Sequence, residues 1–408
     1  MDELSRRRML IAGGAMGALG ALGMAAPAQA RSLWTWSPSG SVAGSGPGTD
    51  PNWVWDEEAD PVLASLIDRG DVPRVNQLLR SWTRNDQPLP DGLPPDLREF
   101  MERARRLPSW ADRNKLDTAA RFNKTKGIYV GALYGLGSGL MSTAIPREAR
   151  AVYYSKGGAD MKDRVAKTAK LGYDVGDLDA YQPQGAMVVT AVKTRLVHAA
   201  VRHLLPQSPG WSQTSGGQKI PISQADILVT WHSLPTFVMR KMLEWKVRIS
   251  PAESAAYLHV WQVTAHMLGV RDEYIPVSWD AANAQSKQIL DPALGRTPEG
   301  VKLTEVLLDI VAELDGGLTR PLVSAFSRYT LGDRVGDLIG LSEEPFWEPL
   351  ISAAWPLLVA FREGLIPLPL VPEAAWTMEE LIRTFVLLFL SEGKPISIEI
   401  PDANRPQG

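Results

Sequence analysis

Apolar residues recur every three or four positions through most of the chain after residue 59, which is the pattern of helices with one buried face. Alternating runs typical of strands are almost absent, apart from a short segment from Ile396 to Ile400. The pattern therefore predicts an all-α fold. The longest predicted helical stretches are 125–141, 185–205, 223–245, 250–269, 301–314 and 374–392.

Residues that favour helix ends support several of these boundaries. Asp60 and Pro61 provide an acid and a proline for the first turn of one helix, and Ser250 and Glu253 have the spacing of a capping box. Pro235 falls inside the stretch 223–245, where a proline removes one backbone hydrogen bond. We therefore expect a kink at that point.

The first thirty residues have the features of an export signal. Arginines 6–8 precede an apolar run from Ile11 to Ala26, and Ala28-Gln29-Ala30 offers a cleavage site with small residues. The paired arginines favour the twin-arginine route, which carries folded proteins and often proteins with a cofactor. We therefore expect a secreted, extracellular protein; an ordinary secretory signal and a membrane anchor are the alternatives.

The remaining chain divides into two parts by composition. Residues 31–58 are rich in Gly, Ser, Pro and Trp without a helical or strand period, and we expect an extended N-terminal arm. Residues 59–408 contain no Gly/Ser linker and no repeat of fixed period, which predicts a single helical domain. No segment after residue 30 has the length and apolarity of a membrane span, and without long apolar stripes we expect a monomer.

Composition excludes several classes of function. Lys and Arg number 43 against 46 Asp and Glu, and removing residues 1–30 takes away three arginines and two acids, so the balance becomes −4. An acidic chain of this kind does not indicate a nucleic-acid binder. The chain has no cysteine, which excludes disulfides, thiolate metal sites and a cysteine nucleophile. Phosphate-loop, dinucleotide, Gly-x-Ser-x-Gly and zinc-protease motifs are absent as well.

A run of glycines interrupts the predicted helix 125–141. Glycines 127, 131, 135, 137 and 139 each cost roughly 1 kcal/mol of helix propensity. Such a run is expected where something approaches the backbone closely. The approaching group is another helix, a flat ligand or an apolar chain.

His198 is the most suggestive candidate for chemistry, because it lies in an apolar helical stretch between Leu196 and Val201. A haem iron takes a neutral imidazole from a rigid helix with apolar walls around the macrocycle. Arg195 and Arg202 lie three residues before and four after His198, so all three share one helical face and the arginines suit the haem carboxylates. The alternative is a partly buried histidine on a basic helix surface.

The other histidines give weaker signals. His203 is expected at the surface and His232 in a structural role. His259 and His266 lie seven residues apart on one helical face and form a weak candidate for a shared metal.

Two short polar segments precede His198. Pro146-Arg147-Glu148 opens one predicted helix, and Met161 to Leu171 forms a basic helix with Arg164, Lys167 and Thr168 on one face. Solvated helix faces are the simplest interpretation. Alternatively, they cover the far side of the iron, where a buried carboxylate has a raised pKa and serves as a base.

Three segments resemble the latex clearing proteins, which are exported rubber oxygenases of actinomycetes. The resemblance rests on Lys124-Thr125-Lys126-Gly127 through Gly139, on 161–168 and on Lys193 to His198, and it extends over roughly 60–390 with the streptomycete members most similar. It implies a globin-like helical core that holds haem b, with additional N- and C-terminal helices. It also implies cleavage of cis-1,4-polyisoprene by dioxygen to products with aldehyde and ketone ends.

The resemblance also implies roles for single residues. His198 would be the proximal iron ligand, Lys167 a sixth ligand in a closed form, and Glu148 the base that removes an allylic proton. Arg164 and Thr168 would support the pocket, whereas Arg195, Arg202 and Arg328 would face the haem carboxylates. A haem-dependent oxygen carrier, a peroxidase-like enzyme and a cofactor-free structural protein are the alternatives.

Overall fold

The computed structural model describes residues 34–155, 160–215, 217, 219–313, 317–365, 392 and 396–404. The predicted export signal lies outside these residues, as does nearly all of the predicted helix 374–392. The chain divides into a unit Met1–Thr35 and a unit Trp36–Gly408.

The second unit is built from helices, so the all-α prediction is confirmed. The helices are α1 Ala59–Asp68, α2 Val72–Leu79, α3 Pro95–Ala104, α4 Arg113–Ala132, α5 Gly139–Met141, α6 Pro146–Tyr154, α7 Met161–Val175, α8 Met187–Leu204, α9 Pro209–Thr214, α10 Gln224–Trp231, α11 Phe237–Glu244, α12 Pro251–Met267, α13 Trp279–Ile289, α14 Pro298–Ala312, α15 Arg320–Leu331, α16 Asp333–Ile339 and α17 Trp347–Arg362. Single 3₁₀ turns lie at Pro38–Gly40, Pro51–Trp53, Ser142–Ala144, Leu205–Gln207, Asp272–Tyr274 and Asp291–Ala293.

Side-chain caps fix where several helices begin. The Ser250 side chain accepts from the Glu253 backbone N–H, and the Glu253 carboxylate accepts from the Ser250 N–H, which is the predicted capping box. Ser223 and Asp226 form a second capping box at the start of α10. These caps satisfy backbone N–H groups that the first helical turn leaves without partners.

Two π-helical segments interrupt long helices and pack against each other. His232–Thr236 separates α10 from α11 and contains Pro235, so the regular helix is interrupted at the position where the sequence predicts a kink. Leu133–Ser138 follows α4 within the glycine run. Ser138 Oγ donates to the Ser233 carbonyl, which joins the two segments. Wider turns of this kind are common beside functional sites because they release backbone and side chains from the regular helix.

The core places α12 at the centre of the unit. This helix packs along α4 and also contacts α8, while α1 lies along α8. From Ala256 to Ala265 every residue of α12 is buried. A helix that is buried on all sides positions its neighbours rigidly. Its neighbour α4 carries the first glycines of the run, and its neighbour α8 carries His198.

Residues 36–58 run as an irregular segment against the helices. The Trp36 indole N–H donates to the Glu273 carbonyl (2.9 Å), and the Tyr274 hydroxyl donates to the Thr49 carbonyl (2.9 Å). Near its end, Asp56 and Glu58 accept hydrogen bonds from Arg195 of α8.

The predicted strand at Ile396–Ile400 is wrong, because these residues run irregularly and no strand forms within the described part of the chain. The Asn76 side chain, rather than a neighbouring strand, pairs with both backbone groups of Ile400 at 2.9 Å. Ser41–Pro276 and Ser155–Asn404 are isolated bridges.

Of the helices described here, none alone combines the length and apolar composition of a membrane span. Only residues 113–144 and 146–154 taken together meet that test, and they meet at a bend of 92°.

Candidate active site

A cavity of about 1490 Å³ lies between α4, α7, α8 and α12. Pockets for small ligands usually measure roughly 300–1,000 Å³, so this cavity has room for a large ligand beside a second molecule. Most of the cavity wall is apolar. Its chemically active lining residues are Glu148, Arg164, Lys167, Thr168, His198 and Thr230.

His198 projects from α8 into the cavity. Its Nδ1 atom is buried and has no hydrogen-bond partner among the residues that the structure describes. Burial lowers the pKa of the imidazole to about 3, with further contributions from the positive charges of Arg202 and Arg164. The imidazole is therefore neutral at physiological pH, which is the form that binds a metal.

Glu148 enters the same cavity from the first turn of α6. Burial raises the pKa of its carboxyl to about 8, although the hydrogen bond from Thr230 opposes this effect. Thr230 Oγ lies 2.5 Å from Glu148 Oε1. The negative charge of Asp226 raises the pKa further, whereas the charge of Arg164 lowers it. A carboxyl group in this range exchanges protons near neutral pH.

Arg164 lines the cavity from α7 with an unusual lack of partners. Its guanidinium makes no hydrogen bond or ion pair with any residue that the structure describes. Burial lowers the pKa of the group, and the charge of Glu148 partly offsets this effect. Arg164 is half-buried, and a guanidinium that lines an apolar cavity normally has an anionic or carbonyl partner, so this one is available to a ligand.

Lys167 and Thr168 follow on the same helix and also line the cavity. Lys167 Nζ forms an ion pair with Asp163 at 2.6 Å, one helical turn away. The ammonium is therefore held by a carboxylate in this structure, and no contact with His198 supports its expected role as an iron ligand. Thr168 Oγ donates to the Arg164 carbonyl (3.0 Å), which holds the hydroxyl against its own helix.

Arg195 and Arg202 do not line the cavity, contrary to the argument from helical spacing. Arg195 Nε and Nη2 donate to Asp56 at 2.6 and 2.8 Å, and Arg202 Nε donates to Asp60 at 2.7 Å. Both arginines are buried, and the carboxylates of Asp56 and Asp60 compensate their positive charges. Buried ion pairs bind the two arginines to the end of the N-terminal segment and to the start of α1, so their assignment to haem carboxylates gains no support from these contacts and stays a prediction.

Arg328 also lies away from the cavity. It projects from α15, where its Nη1 donates to Asp337 (3.0 Å) and to the Leu341 carbonyl (2.9 Å). Asp333 and Glu348 lie at 3.3 and 3.6 Å from the guanidinium. Arg328 therefore ties α15 to α16 and α17, and none of these contacts supports its expected position beside a haem carboxylate.

The glycine run lies beside open cavity space at one part and against another helix at a second part. An added Cβ at Gly131 or Gly135 would meet no atom within 4 Å, and both residues line the cavity. At Gly137 an added Cβ would lie 2.7 Å from the Phe237 ring of α11. One side of the run thus forms a cavity wall without side chains, and the other allows helix packing.

The remaining histidines are held in polar contacts. His203 Nε2 lies 3.0 Å from Asp68, while buried His232 lies between Thr236 and Gln285, in agreement with a structural role. The Trp110 ring lies 5.8 Å from both His259 and His266, and each histidine has a hydrogen-bond partner of its own, Asp112 N–H and Asp272 respectively, so nothing in these contacts supports the weak candidate for a shared metal. Over the described ranges, no three His, Asp or Glu side chains form a metal-binding group.

Thr230 is the site residue that the sequence did not reveal. It lies 82 positions from Glu148, and the polar pattern of α10 does not distinguish it from the neighbouring Asp226. Only the tertiary fold, which no local pattern reveals, brings the hydroxyl to the carboxyl.

Comparisons with known proteins agree on one family. The family model described as "ER-bound oxygenase mpaB/B'/Rubber oxygenase, catalytic domain" matches residues 127–362. The chain is 77% identical over 406 residues to a protein named "Rubber oxygenase" from Streptomyces sp. (strain K30), and the alignment covers 100% of both chains.

Among solved structures, one described as "Structure of Latex Clearing Protein LCP in the closed state" matches with a TM-score of 0.84 and 78% identity. The match covers 90% of this chain and 100% of the other. The chain therefore belongs to the rubber oxygenase family, which includes the latex clearing proteins.

Proposed function

We propose that this protein is a secreted oxygenase that cleaves the double bonds of cis-1,4-polyisoprene with dioxygen. Each cleavage places one oxygen atom on each carbon of the double bond, which gives one aldehyde and one ketone end. The proposal rests on family membership and on a single structural observation. A neutral imidazole and a carboxyl group with a raised pKa line the same large apolar cavity.

The cavity fits a haem b group. His198 offers a neutral imidazole, and its buried Nδ1 has no protein partner that would compete for the ring. Haem held by an axial histidine needs apolar walls and positive charge near its carboxylates. When bound, haem supplies the redox-active iron that a reaction between dioxygen and a double bond requires.

Arg164 replaces Arg195 and Arg202 as the candidate for a haem carboxylate. It lines the cavity without a hydrogen bond or ion pair of its own, whereas Asp56 and Asp60 hold the other two. Carboxylate binding would return to Arg164 the stabilisation that burial removes.

Glu148 is the proposed base. Its carboxylate would take an allylic proton from the isoprene unit beside it, and Thr230 fixes Oε1 by a 2.5 Å hydrogen bond. Oε2 is then left to receive the proton. Cleavage by dioxygen leaves the hydrogen count of the polymer unchanged, so the same carboxyl group returns the proton to the product. Thr168 and Lys167 would complete the polar edge of this part of the cavity.

Recognition of the polymer depends on shape, because polyisoprene has no charge and no hydrogen-bonding group. The backbone at Gly131 and Gly135 leaves open space along the cavity wall. An apolar chain lying there would place one double bond near the reactive groups at a time. Bulky side chains at these positions would close that path.

Export by the twin-arginine route is part of the proposal, although residues 1–30 lie outside the described part of the chain. Replacing Arg6 and Arg7 by lysine should leave the protein inside the cell, since that route reads the arginine pair. Unchanged secretion of the variant would contradict this route and leave the enzymatic proposal intact.

The direct test of activity is oxygen consumption with natural rubber latex. The purified protein should consume oxygen only when polymer is present, and carbonyl-reactive reagents should detect aldehyde and ketone ends. The Glu148→Gln variant keeps the shape of the side chain but has no base, so its rate should fall about 10²–10⁴-fold while its haem absorbance persists. Oxygen uptake that needs hydrogen peroxide, or no carbonyl products, would contradict the proposal.

A further inference from the structure

A series of aromatic side chains leads away from the cavity on the side of α12. Trp261 and Tyr134 both line the cavity, and their rings meet edge to face with centroids 5.8 Å apart. The Trp261 indole N–H donates to the Tyr134 hydroxyl at 3.0 Å. The series therefore begins where a reaction in the cavity would take place.

The series continues through buried Tyr257 towards the surface. The Tyr134 and Tyr257 hydroxyl oxygens lie 2.8 Å apart in a hydrogen bond, and Tyr257 is fully buried. The Tyr257 ring stacks on Trp279, with centroids 6.2 Å apart and planes at 24°. Trp279 is half-buried at the start of α13, and its indole N–H donates to Ser254 Oγ at 2.9 Å. The four rings thus form one continuous path.

Simple packing accounts for the volume of these rings but not for their chemistry. Phenylalanine or leucine would fill the same core without burying two hydroxyl groups that must satisfy each other. Tyrosine and tryptophan are also the side chains that one-electron oxidants convert to radicals most readily, and the chain has no cysteine. A hydrogen bond between two phenols lets a proton move as an electron moves.

We propose that Trp261, Tyr134, Tyr257 and Trp279 form a path that drains oxidising equivalents from the cavity to the surface. The oxidant would be hydrogen peroxide or an organic hydroperoxide that reacts in the cavity, and the reductant a small ascorbate-type molecule at Trp279. The path would protect the protein from oxidative damage when a peroxide reacts in the cavity without cleaving the polymer. This inference rests on the proposed haem, which is the group that would react with peroxide.

The electrons and protons balance for each turnover. Hydrogen peroxide takes two electrons and two protons and becomes two water molecules, while two reductant molecules each lose one electron and one proton. The oxidant takes an electron from Trp261, Tyr134 replaces that electron, and Tyr134 releases its hydroxyl proton to the cavity. Tyr257 then passes an electron and a proton to Tyr134 across the 2.8 Å hydrogen bond.

The return of one electron and one proton restores both tyrosine side chains. Trp279 supplies the electron to Tyr257 and regains one from the reductant. The proton returns from cavity water to Tyr134 and from Tyr134 to Tyr257, so no buried group keeps a charge.

The test uses the haem-loaded protein, frozen shortly after addition of hydrogen peroxide and measured by electron paramagnetic resonance. We expect a protein radical whose signal narrows when the protein carries ring-deuterated tyrosine. Tyr257→Phe should leave the tyrosyl radical on Tyr134 alone, and in both Tyr257→Phe and Trp279→Leu the radical should decay more slowly after ascorbate is added. Tyr274→Phe is the matched control, because its buried ring lies outside the path and its hydroxyl donates to the Thr49 carbonyl.

The outcomes separate this inference from the proposed function. Oxygen uptake on latex should be unchanged at first in all three variants, with Tyr257→Phe losing activity sooner under peroxide. A coloured, active protein that gives no tyrosyl radical, or gives one that neither Tyr257→Phe nor Trp279→Leu alters, would overturn the path alone. A colourless preparation would instead contradict both the haem proposal and the path.

Discussion

Replacing Thr230 by valine tests whether Glu148 acts as the base. In the wild-type protein, burial raises the pKa of Glu148 to about 8, so the active carboxylate accumulates only as the pH rises through that value. About 1% of the group is ionised at pH 6 and about 90% at pH 9. The rate should therefore rise roughly 90-fold between these pH values, with its half-maximum near pH 8.

Valine removes the one hydrogen bond that stabilises the ionised form of Glu148. A hydrogen bond to a charged group contributes about 1.5–3 kcal/mol, and each 1.4 kcal/mol changes an ionisation constant about tenfold. The half-maximum of the rate should move to higher pH. At pH 7 the variant should be at least about tenfold slower, and the two proteins should converge at alkaline pH.

The assay is the initial rate of oxygen uptake on latex from pH 6 to pH 10, with circular dichroism at each pH to restrict the comparison to folded protein. Thr230→Ser keeps the hydroxyl and should restore the wild-type profile. A flat wild-type profile, or a Thr230→Val profile that overlays it, would refute the role of Glu148 as a base whose pKa Thr230 controls.

Three further predictions follow from the contacts around the cavity. Gly135→Phe should stop polymer cleavage while the haem spectrum stays intact, because an added side chain points into open space, whereas Gly135→Ala should remain active; oxygen uptake measures both, and an active phenylalanine variant would remove the polymer path. Asp56→Asn should destabilise the fold by about 3 kcal/mol in urea unfolding, because it leaves buried Arg195 with Glu58 alone, and a loss below about 1 kcal/mol would contradict a structural ion pair. Arg164→Gln should release haem to apomyoglobin faster than wild type, and equal release rates would argue against its binding of a haem carboxylate.

Most of the helical framework was predictable because a buried helix face imposes a short-range rule. The stretches 185–205 and 250–269 became α8 and α12 within two residues at either end. Capping residues lie next to the turns that they stabilise, so Ser250 gave the correct helix start. The failed strand at Ile396–Ile400 shows the limit, because a strand requires a neighbour that no local pattern reveals.

The site was predictable only in part, for the same reason. Helical spacing correctly placed Arg195 and Arg202 on the helix of His198, but it carried no information about which distant acids would reach them. Asp56 and Asp60 lie 139 and 142 positions away from these arginines and hold them outside the cavity. The role of Thr230 was equally hidden, because its hydrogen bond to Glu148 joins two helices and cannot be inferred from the sequence around Thr230.

The most direct test of the account is the absorption spectrum of the purified protein and of its His198→Gly variant. The wild-type protein should show a Soret band with stoichiometric haem. The variant should fold, as judged by circular dichroism, but lack haem until imidazole is added to replace the missing side chain. A colourless wild-type protein that still cleaves rubber, or a His198→Gly variant with full haem and activity in the absence of imidazole, would contradict the account.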